Sequence, residues 1–181
     1  ALTVVSQEIT SRLDIEQVLN SVTEKSRVLV GGEVSFLCLL DNSQRNLSLQ
    51  TFSGSADAAM GDVTVVKDHD LTVAIVGSEK AVVCGIDSCR EGCAILSQKY
   101  RGSHLASPLR INEQIIGALC VGSSYPQRFG EESADLLTKL ANTAAIALEN
   151  ARLYEQAERI ATLEERQRIA AEMHDGLGQT L

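Results

Sequence analysis

His174 has the side-chain type and the neighbours for phosphate chemistry. A neutral, oriented imidazole can attack a phosphoryl group. A carboxylate that is hydrogen-bonded to the other ring nitrogen fixes the tautomer and offsets the positive charge that develops on the ring. Asp175 follows directly, and Gln179 comes one helical turn after Asp175, on the same face of a predicted helix. His174 and Asp175 are therefore predicted to be catalytic residues.

Three of the five cysteines, Cys84, Cys89 and Cys93, fall within ten residues of the sequence. Asp87 and Ser88 could begin a helix that carries Cys89 and Cys93 on one face. Three thiolates at this spacing can converge on one metal ion or iron–sulfur cluster, so we predict them to be metal ligands. Zinc, and plain thiols without any ligand, stay open as alternatives.

The other cysteines and histidines carry weaker signals. Cys38 and Cys120 stand in apolar segments, so we expect them to be small core residues. His69 and His104 are expected to be ordinary surface or core histidines, and neither is an evident fourth ligand. An odd cysteine count without a secretory signal argues against a disulfide scaffold and favours a reducing cytoplasm.

The composition favours one packed domain with an appendage. The chain has 181 residues, of which 44% are hydrophobic, so it can bury one ordinary core. A net charge of -8 without a Lys/Arg cluster argues against direct binding of nucleic acid. No apolar run approaches the roughly 20 residues of a membrane-spanning helix. Because the chain starts at Ala1 and its last helix reaches Leu181 without a stop signal, we expect a longer protein, which could hold any membrane anchor.

Hydrophobic periodicity predicts an α+β fold with an antiparallel sheet flanked by helices. The first thirty residues have helical spacing, and a capping-box pattern at Asp14 predicts a break into two helices. Apolar and alternating runs predict two hairpins, residues 34–52 and 103–122, with Pro108 near an edge or bulge. Residues 54–80 are expected to add one short strand and one short helix.

A long helix is predicted from Glu131, because neither Gly nor Pro occurs between Glu131 and Asp175. A domain of this size cannot bury all of that helix, so its second half is expected to pair with another helix in a parallel dimeric coiled coil. A lone helix stabilised by the ion pairs Glu155–Arg159 and Glu164–Arg168 is the alternative. The apolar seam comprises Leu153, Ala157, Ile160, Leu163, Ala170, Met173 and Leu177.

Four segments in this order resemble the GAF domain family. They are residues 13–19 (LDIEQVL), 107–111 (SPLRI), 116–122 (IGALCVG) and 145–154 (AIALENARLY). The resemblance implies a sensory domain over residues 1–130, followed by a signalling helix over 131–164. GAF domains elsewhere bind cyclic nucleotides or tetrapyrroles, which leaves open a small-molecule-binding or dimerisation module with unliganded cysteines.

Residues 165–181 (ERQRIAAEMHDGLGQTL) resemble the dimerisation and phosphoacceptor helix of sensor histidine kinases that pair with response regulators of the nitrate-regulator type. This resemblance implies that His174 is autophosphorylated, Asp175 acts as the base, and Gln179 positions water to dephosphorylate the regulator. It also implies a homodimer and a catalytic domain beyond the C-terminus that brings Mg-ATP. The sequence itself has no Gly-rich phosphate loop, so the chain alone should be inactive.

Overall fold

The computed structural model describes most of the chain. The described residues are 2–41, 46–55, 65–67, 78–85, 95–100 and 103–178. The helix predicted within residues 54–80 and the cysteine helix predicted after Asp87 lie outside them.

Two helices and six strands form the described fold, in the predicted α+β class. The elements are α1 (Leu2–Val30), β1 (Val34–Leu40), β2 (Asn46–Ser53), β3 (Val65–Lys67), β4 (Val82–Gly85), a short 3-10 helix (Gln98–Tyr100), β5 (Ser103–Ile111), β6 (Gln114–Ser123) and α2 (Glu131–Gly178). The strands form one antiparallel sheet in the order β3-β2-β1-β6-β5-β4. Both predicted hairpins and the short strand are confirmed.

The first helix is continuous, so the predicted break at Asp14 is wrong. Nothing before Asp14 ends a helix, because residues 2–30 contain neither Gly nor Pro and the backbone ladder simply continues. The helix ends at Gly31, whose φ of 76° is left-handed. The amides of Gly31 and Gly32 donate to the carbonyls of Val28 (3.3 Å) and Arg27 (2.9 Å). These two bonds form a Schellman cap.

The second hairpin confirms the position predicted for Pro108. Its turn residues Asn112 and Glu113 have φ of 47° and 68°, as a two-residue type I′ turn requires. Pro108 pairs with Ala118 on β6, but β4 ends its pairing with β5 at Ala106. Among the residues that the structure describes, no strand pairs with the outer side of Pro108, and a register irregularity follows it between Leu109 and Arg110.

Each face of the sheet carries its own core. The helix face packs against α1 and the first part of α2, and its buried residues include Leu37, Leu105, Leu109, Leu119 and Val121. The loop face packs against the segment that precedes β5, and its buried residues include Phe36, Cys38, Ala106, Cys120, Ile95, Leu96 and Tyr100. The sheet is thus buried on both sides, which explains its nearly continuous apolar strands.

Only the first part of α2 belongs to the core. Leu137, Ala141, Ala144 and Ala145 are fully buried against the helix face, where the small alanines allow close approach to the sheet. Over residues 152–174, every residue is exposed except half-buried Glu155 and Thr162. This exposed part extends about 35 Å at 1.5 Å per residue. No helix in the described ranges combines the length and apolarity needed to cross a bilayer.

Glu33 joins the start of β1 to the end of β6. Its carboxylate accepts hydrogen bonds from the Ser124 amide (2.5 Å), the Ser124 hydroxyl (2.6 Å) and the Ser123 hydroxyl (3.1 Å). Hydrogen bonds from Ser124 lower the pKa of Glu33 below its ordinary value of 4.5. The ionised carboxylate is therefore the form that stabilises this junction.

Replacing Glu33 with Gln should lower the free energy of unfolding by about 1 kcal/mol at pH 7, because the charge-assisted bonds are lost in a partly solvated site. A lowered folded pKa means that this stabilisation is complete above pH 4.5 and is lost as the pH falls through the folded pKa. Urea unfolding at pH 7 and in acid measures both effects. Glu16→Gln, on the exposed side of α1, is the control. Equal stability of Glu33→Gln and wild type at pH 7 would contradict this role.

Candidate functional site

The predicted phosphoacceptor lies on the exposed part of α2. His174 is exposed, and the helix that carries it runs without interruption from the sheet. Leu148 is the last residue of α2 packed against the helix-face core. His174 follows 26 residues later, roughly 40 Å further along the axis. The structure therefore places an exposed imidazole far from the domain and connects the two through one continuous helix.

The partners predicted for His174 are only partly described. Asp175 lies in the last turns of α2, and Gln179 lies outside the described residues. The orientation of their side chains toward His174 therefore stays a prediction.

An ion-pair cluster centred on Arg168 precedes His174 by less than two helical turns. Arg168 donates to Glu165 at 2.7 and 2.9 Å and to Glu172 at 2.5 Å. The hydrogen bond from Arg168 lowers the pKa of Glu165. Arg168 thus pairs with these two acids instead of the predicted Glu164, because bidentate geometry to Glu165 uses the fork of the guanidinium fully. Such exposed pairs add only a few tenths of a kcal/mol each, which is little for a helix this long.

The predicted apolar seam is exposed along the same part of α2. Leu153, Ile160, Leu163 and Met173 have 52%, 57%, 58% and 64% of their surface accessible. Ile169 adds a further exposed apolar side chain, at 44%. These side chains of the predicted seam therefore lie in contact with water in the single chain.

A second chemical feature lies on the loop face of the sheet, around His104. This histidine is fully buried in β5, and the register places it opposite Cys84 on β4 and opposite Gly122 on β6. Directly opposite residues in an antiparallel pair lie on the same face. The position of His104 opposite Cys84 could not be predicted, because the pairing of β4 with β5 is a long-range contact without a local sequence signal.

Two of the remaining cysteines are core residues, whereas the others and His69 lie outside the part of the chain that the structure describes. Cys38 and Cys120 are buried core residues, at 1% and 0% exposure, as predicted. Cys89, Cys93 and His69 lie outside the described residues. Within the described part of the chain, no group of three or more His, Cys, Asp or Glu side chains could hold a metal ion. The predicted three-cysteine site therefore stays a prediction.

A cleft of about 520 Å³ lies where α2 leaves the domain. Its walls come from α1, the tips of both hairpins and α2, and it combines an apolar floor with a charged rim. The lining includes Ile15, Leu39, Ile116, Leu148, Glu149 and Arg152. A change in this cleft would act directly on the base of the exposed helix.

Comparisons with known proteins give a family, a partial relative and a fold. A family model described as GAF domain matches residues 12–149. Sensor histidine kinase YhcY of Bacillus subtilis (strain 168) is 35% identical over 78 residues, which are 43% of this chain and 21% of the relative. The chain thus corresponds to about a fifth of that kinase.

Two solved structures illustrate the fold. The blue-light absorbing form of the Thermosynechococcus elongatus PixJ GAF-domain superposes with a TM-score of 0.63 at 18% identity, covering 86% of this chain and 96% of its own. Free methionine-R-sulfoxide reductase from Neisseria meningitidis, in complex with its substrate, gives 0.65 at 23% identity, covering 78% and 81%. At these identities the similarity shows a shared fold and nothing about activity.

Exposed His174 and buried His104 should react with diethyl pyrocarbonate at very different rates. His174 should react readily because it is exposed, whereas His104 should react about a hundredfold more slowly because it must await an opening of the fold. Mass spectrometry of tryptic peptides after timed labelling measures both rates. In urea the two rates should become equal, which controls for intrinsic reactivity. Rapid labelling of His104 in the native protein would contradict its burial.

Proposed function

Given that the chain belongs to the GAF domain family, we propose that it is the sensory and phosphoacceptor portion of a two-component sensor histidine kinase. The observation that carries this proposal is the exposed His174 at the far end of a helix that begins inside the GAF core. The partial similarity to a Bacillus subtilis sensor histidine kinase supports the kinase context. The resemblance of residues 165–181 supports the nitrate-regulator type.

The proposed reaction is phosphoryl transfer to His174. A nitrogen lone pair of the neutral imidazole attacks the γ-phosphorus of Mg-ATP, the bond to the β-phosphate breaks, and ADP leaves. Asp175 accepts the proton from the other ring nitrogen, so that the phosphorylated ring stays uncharged. A separate catalytic domain of the longer protein supplies the nucleotide, since this sequence has no phosphate-binding loop.

The phosphoryl group then passes to a response regulator. The regulator docks on the exposed face of α2 around His174, and its acceptor carboxylate displaces the imidazole from phosphorus. Gln179, one turn beyond Asp175, orients the water that later hydrolyses the phosphorylated regulator. In this proposal the protein acts in the cytoplasm.

A second copy of the chain covers the apolar seam of α2. The ion pairs of Arg168 are too weak to stabilise a solitary helix of this length, and a partner helix would bury the exposed leucine and isoleucine side chains. A parallel arrangement brings identical seam positions together and leaves both GAF domains at one end. It also sets the two copies of His174 side by side for the catalytic domains.

The sensory input is proposed to be redox chemistry or metal binding at Cys84, Cys89 and Cys93. An iron–sulfur cluster or another thiolate-bound metal would give the domain two states of different charge and packing. The alternative function is a GAF module that binds a small molecule, with the cysteines unliganded. The cleft of about 520 Å³ at the base of α2 favours this alternative, because it has the size and the mixed lining of a ligand site.

A double substitution in the seam should dissociate the dimer. Ile160→Glu with Leu163→Glu places charges where apolar side chains must meet, so the dimer dissociation constant should rise by about a hundredfold or more. Sedimentation equilibrium over micromolar concentrations measures the change. Ala161→Glu with Thr162→Glu adds the same charge beside the seam and should leave the dimer intact. A wild-type monomer at tens of micromolar would contradict the proposed dimer.

Phosphate should appear on His174 alone when a cognate catalytic domain and Mg-ATP are supplied. His174→Gln should abolish labelling, whereas Asp175→Asn should slow it by about 10²- to 10⁴-fold because the ring loses its base. Gln179→Ala should retain labelling but slow the loss of phosphate from the regulator. Radiolabelled ATP followed by acid- and base-stability tests identifies phosphohistidine.

The matched control for this experiment is His69→Gln, which removes a histidine outside the phosphoacceptor helix and should label as wild type. Persistent labelling of the His174→Gln protein would refute the proposed phosphoacceptor.

A further inference from the structure

The cleft at the base of α2 combines a partly buried floor with a charged rim. The floor is aliphatic, and most of it packs against the helix-face core through Ile15, Leu39, Ile116 and Leu148. Its volume of about 520 Å³ lies within the roughly 300 to 1,000 Å³ that is typical of small-molecule sites. The cleft is therefore large enough for a small organic ligand.

The rim of the cleft is net negative. Asp41, Glu149 and Glu155 contribute three carboxylates, against the single guanidinium of Arg152. All three acids are half-buried, whereas Arg152 is exposed. Partial burial beside an aliphatic floor weakens the solvation of a carboxylate and so strengthens its attraction for a cation. The rim therefore favours a cationic ligand over an anionic one.

Glu149 and Glu155 are the acids that the fold leaves available to a ligand. Asp41 already accepts hydrogen bonds from the amide (3.3 Å) and the side-chain nitrogen (2.5 Å) of Asn46, at the start of β2. In contrast, no hydrogen bond or ion pair joins Glu149 or Glu155 to another residue in the part of the chain that the structure describes. Arg152 lies three residues from each glutamate and is paired with neither of them.

The lining residues disfavour other classes of ligand. A metal ion would find too few ligands, because no group of three or more His, Cys, Asp or Glu side chains among the described residues could hold one. Phosphates and carboxylates would meet like charge at the rim. No lining residue is aromatic, so a cation here is recognised by carboxylates and not by cation–π contact. An aliphatic body with one protonated amine matches both the floor and the rim.

We propose that this cleft binds a small organic monocation, which lays its aliphatic body on the floor and directs a protonated amine at Glu149 and Glu155. The proposal rests on the alternative function above, a small-molecule-binding module, and gives that function a site and a class of ligand. It requires neither a metal at the cysteines nor phosphorylation at His174. Because Leu148 packs against the core and Glu155 lies on the exposed part of α2, such a ligand contacts both at once.

The test titrates the whole chain at pH 7 with n-octylammonium, 1-octanol and octanoate, which share one aliphatic chain and differ in the charge of the head group. Isothermal titration calorimetry measures the affinity and the number of sites. We expect one octylammonium per chain, bound about tenfold more tightly than octanol and more tightly still than octanoate. Hexylammonium should bind about tenfold more weakly than octylammonium, because two fewer methylenes are buried. The proposal is overturned if octylammonium shows no saturable binding, binds no more tightly than octanol, or binds no more tightly than hexylammonium.

Variants locate the ligand in this cleft. Glu149→Gln with Glu155→Gln keeps the shape of both side chains and removes their charge, so octylammonium should bind about tenfold more weakly while octanol binding changes by less than about twofold. Glu158→Gln with Glu164→Gln removes the same charge from exposed positions of α2 outside the cleft and should bind as wild type. Circular dichroism checks that each variant is folded. A Glu149→Gln/Glu155→Gln protein that binds octylammonium as tightly as wild type overturns the proposed site.

The outcomes also separate this proposal from the functions proposed above. Octanol and octylammonium that bind one site with equal affinity would support a small-molecule-binding module but overturn the cationic class of ligand. Labelling of His174 is measured independently of both. If octylammonium binds as expected and His174 is not labelled, the ligand site stands and the kinase proposal is refuted.

Discussion

The unbroken backbone hydrogen bonding of α2 is the constraint on which the rest of the molecule depends. One helix of 48 residues belongs to two environments, because its first part is buried against the sheet and its second part is exposed to water. Ala141, Ala144 and Ala145 fix the first part at close range to the helix face. The backbone ladder connects this buried part to His174 without a Gly or Pro between them.

The two faces of the sheet have different neighbours. The loop face holds His104 together with the buried residues Ile95, Leu96 and Tyr100 of the segment before β5. The helix face holds α1 and the base of α2. Leu105 and His104 are adjacent in β5 but face opposite sides of the sheet, and Leu105 packs in the helix-face core beneath α2.

The order of the elements was predictable because each carries a strong local signal. Alternation and turn residues located both hairpins, and the lack of Gly and Pro located α2. The capping pattern at Asp14 was misleading, because an N-cap starts a new helix only when the preceding residues are not helical. In this chain the residues before Asp14 continue the same helix. Arg168 pairs with Glu165 and not with Glu164, because two nitrogens of its guanidinium can bond the Glu165 carboxylate. Sequence spacing alone does not predict this bidentate geometry.

The candidate site was less predictable than the fold. The cysteine cluster and the histidine helix are local in sequence, and both could be read directly. The position of His104 beside Cys84 depends on β4 pairing with β5 across twenty residues, and strand pairing at that distance has no sequence signal in a single chain. Burial of His104 is likewise a property of the whole sheet. The contacts that join one face to the other therefore required the structure.

Helix phase between the GAF core and His174 offers the most direct test of the central claim that the two are rigidly coupled. A two-residue insertion after Ala157 rotates the downstream helix by roughly 200°, whereas a seven-residue insertion restores its phase to within roughly 20°. The rate of phosphate incorporation at His174 is measured for each protein in two states, with and without metal at the proposed centre of Cys84, Cys89 and Cys93. Rigid coupling predicts that the two states differ in rate in wild type and after the seven-residue insertion but not after the two-residue insertion. An undiminished difference after the two-residue insertion would contradict the account.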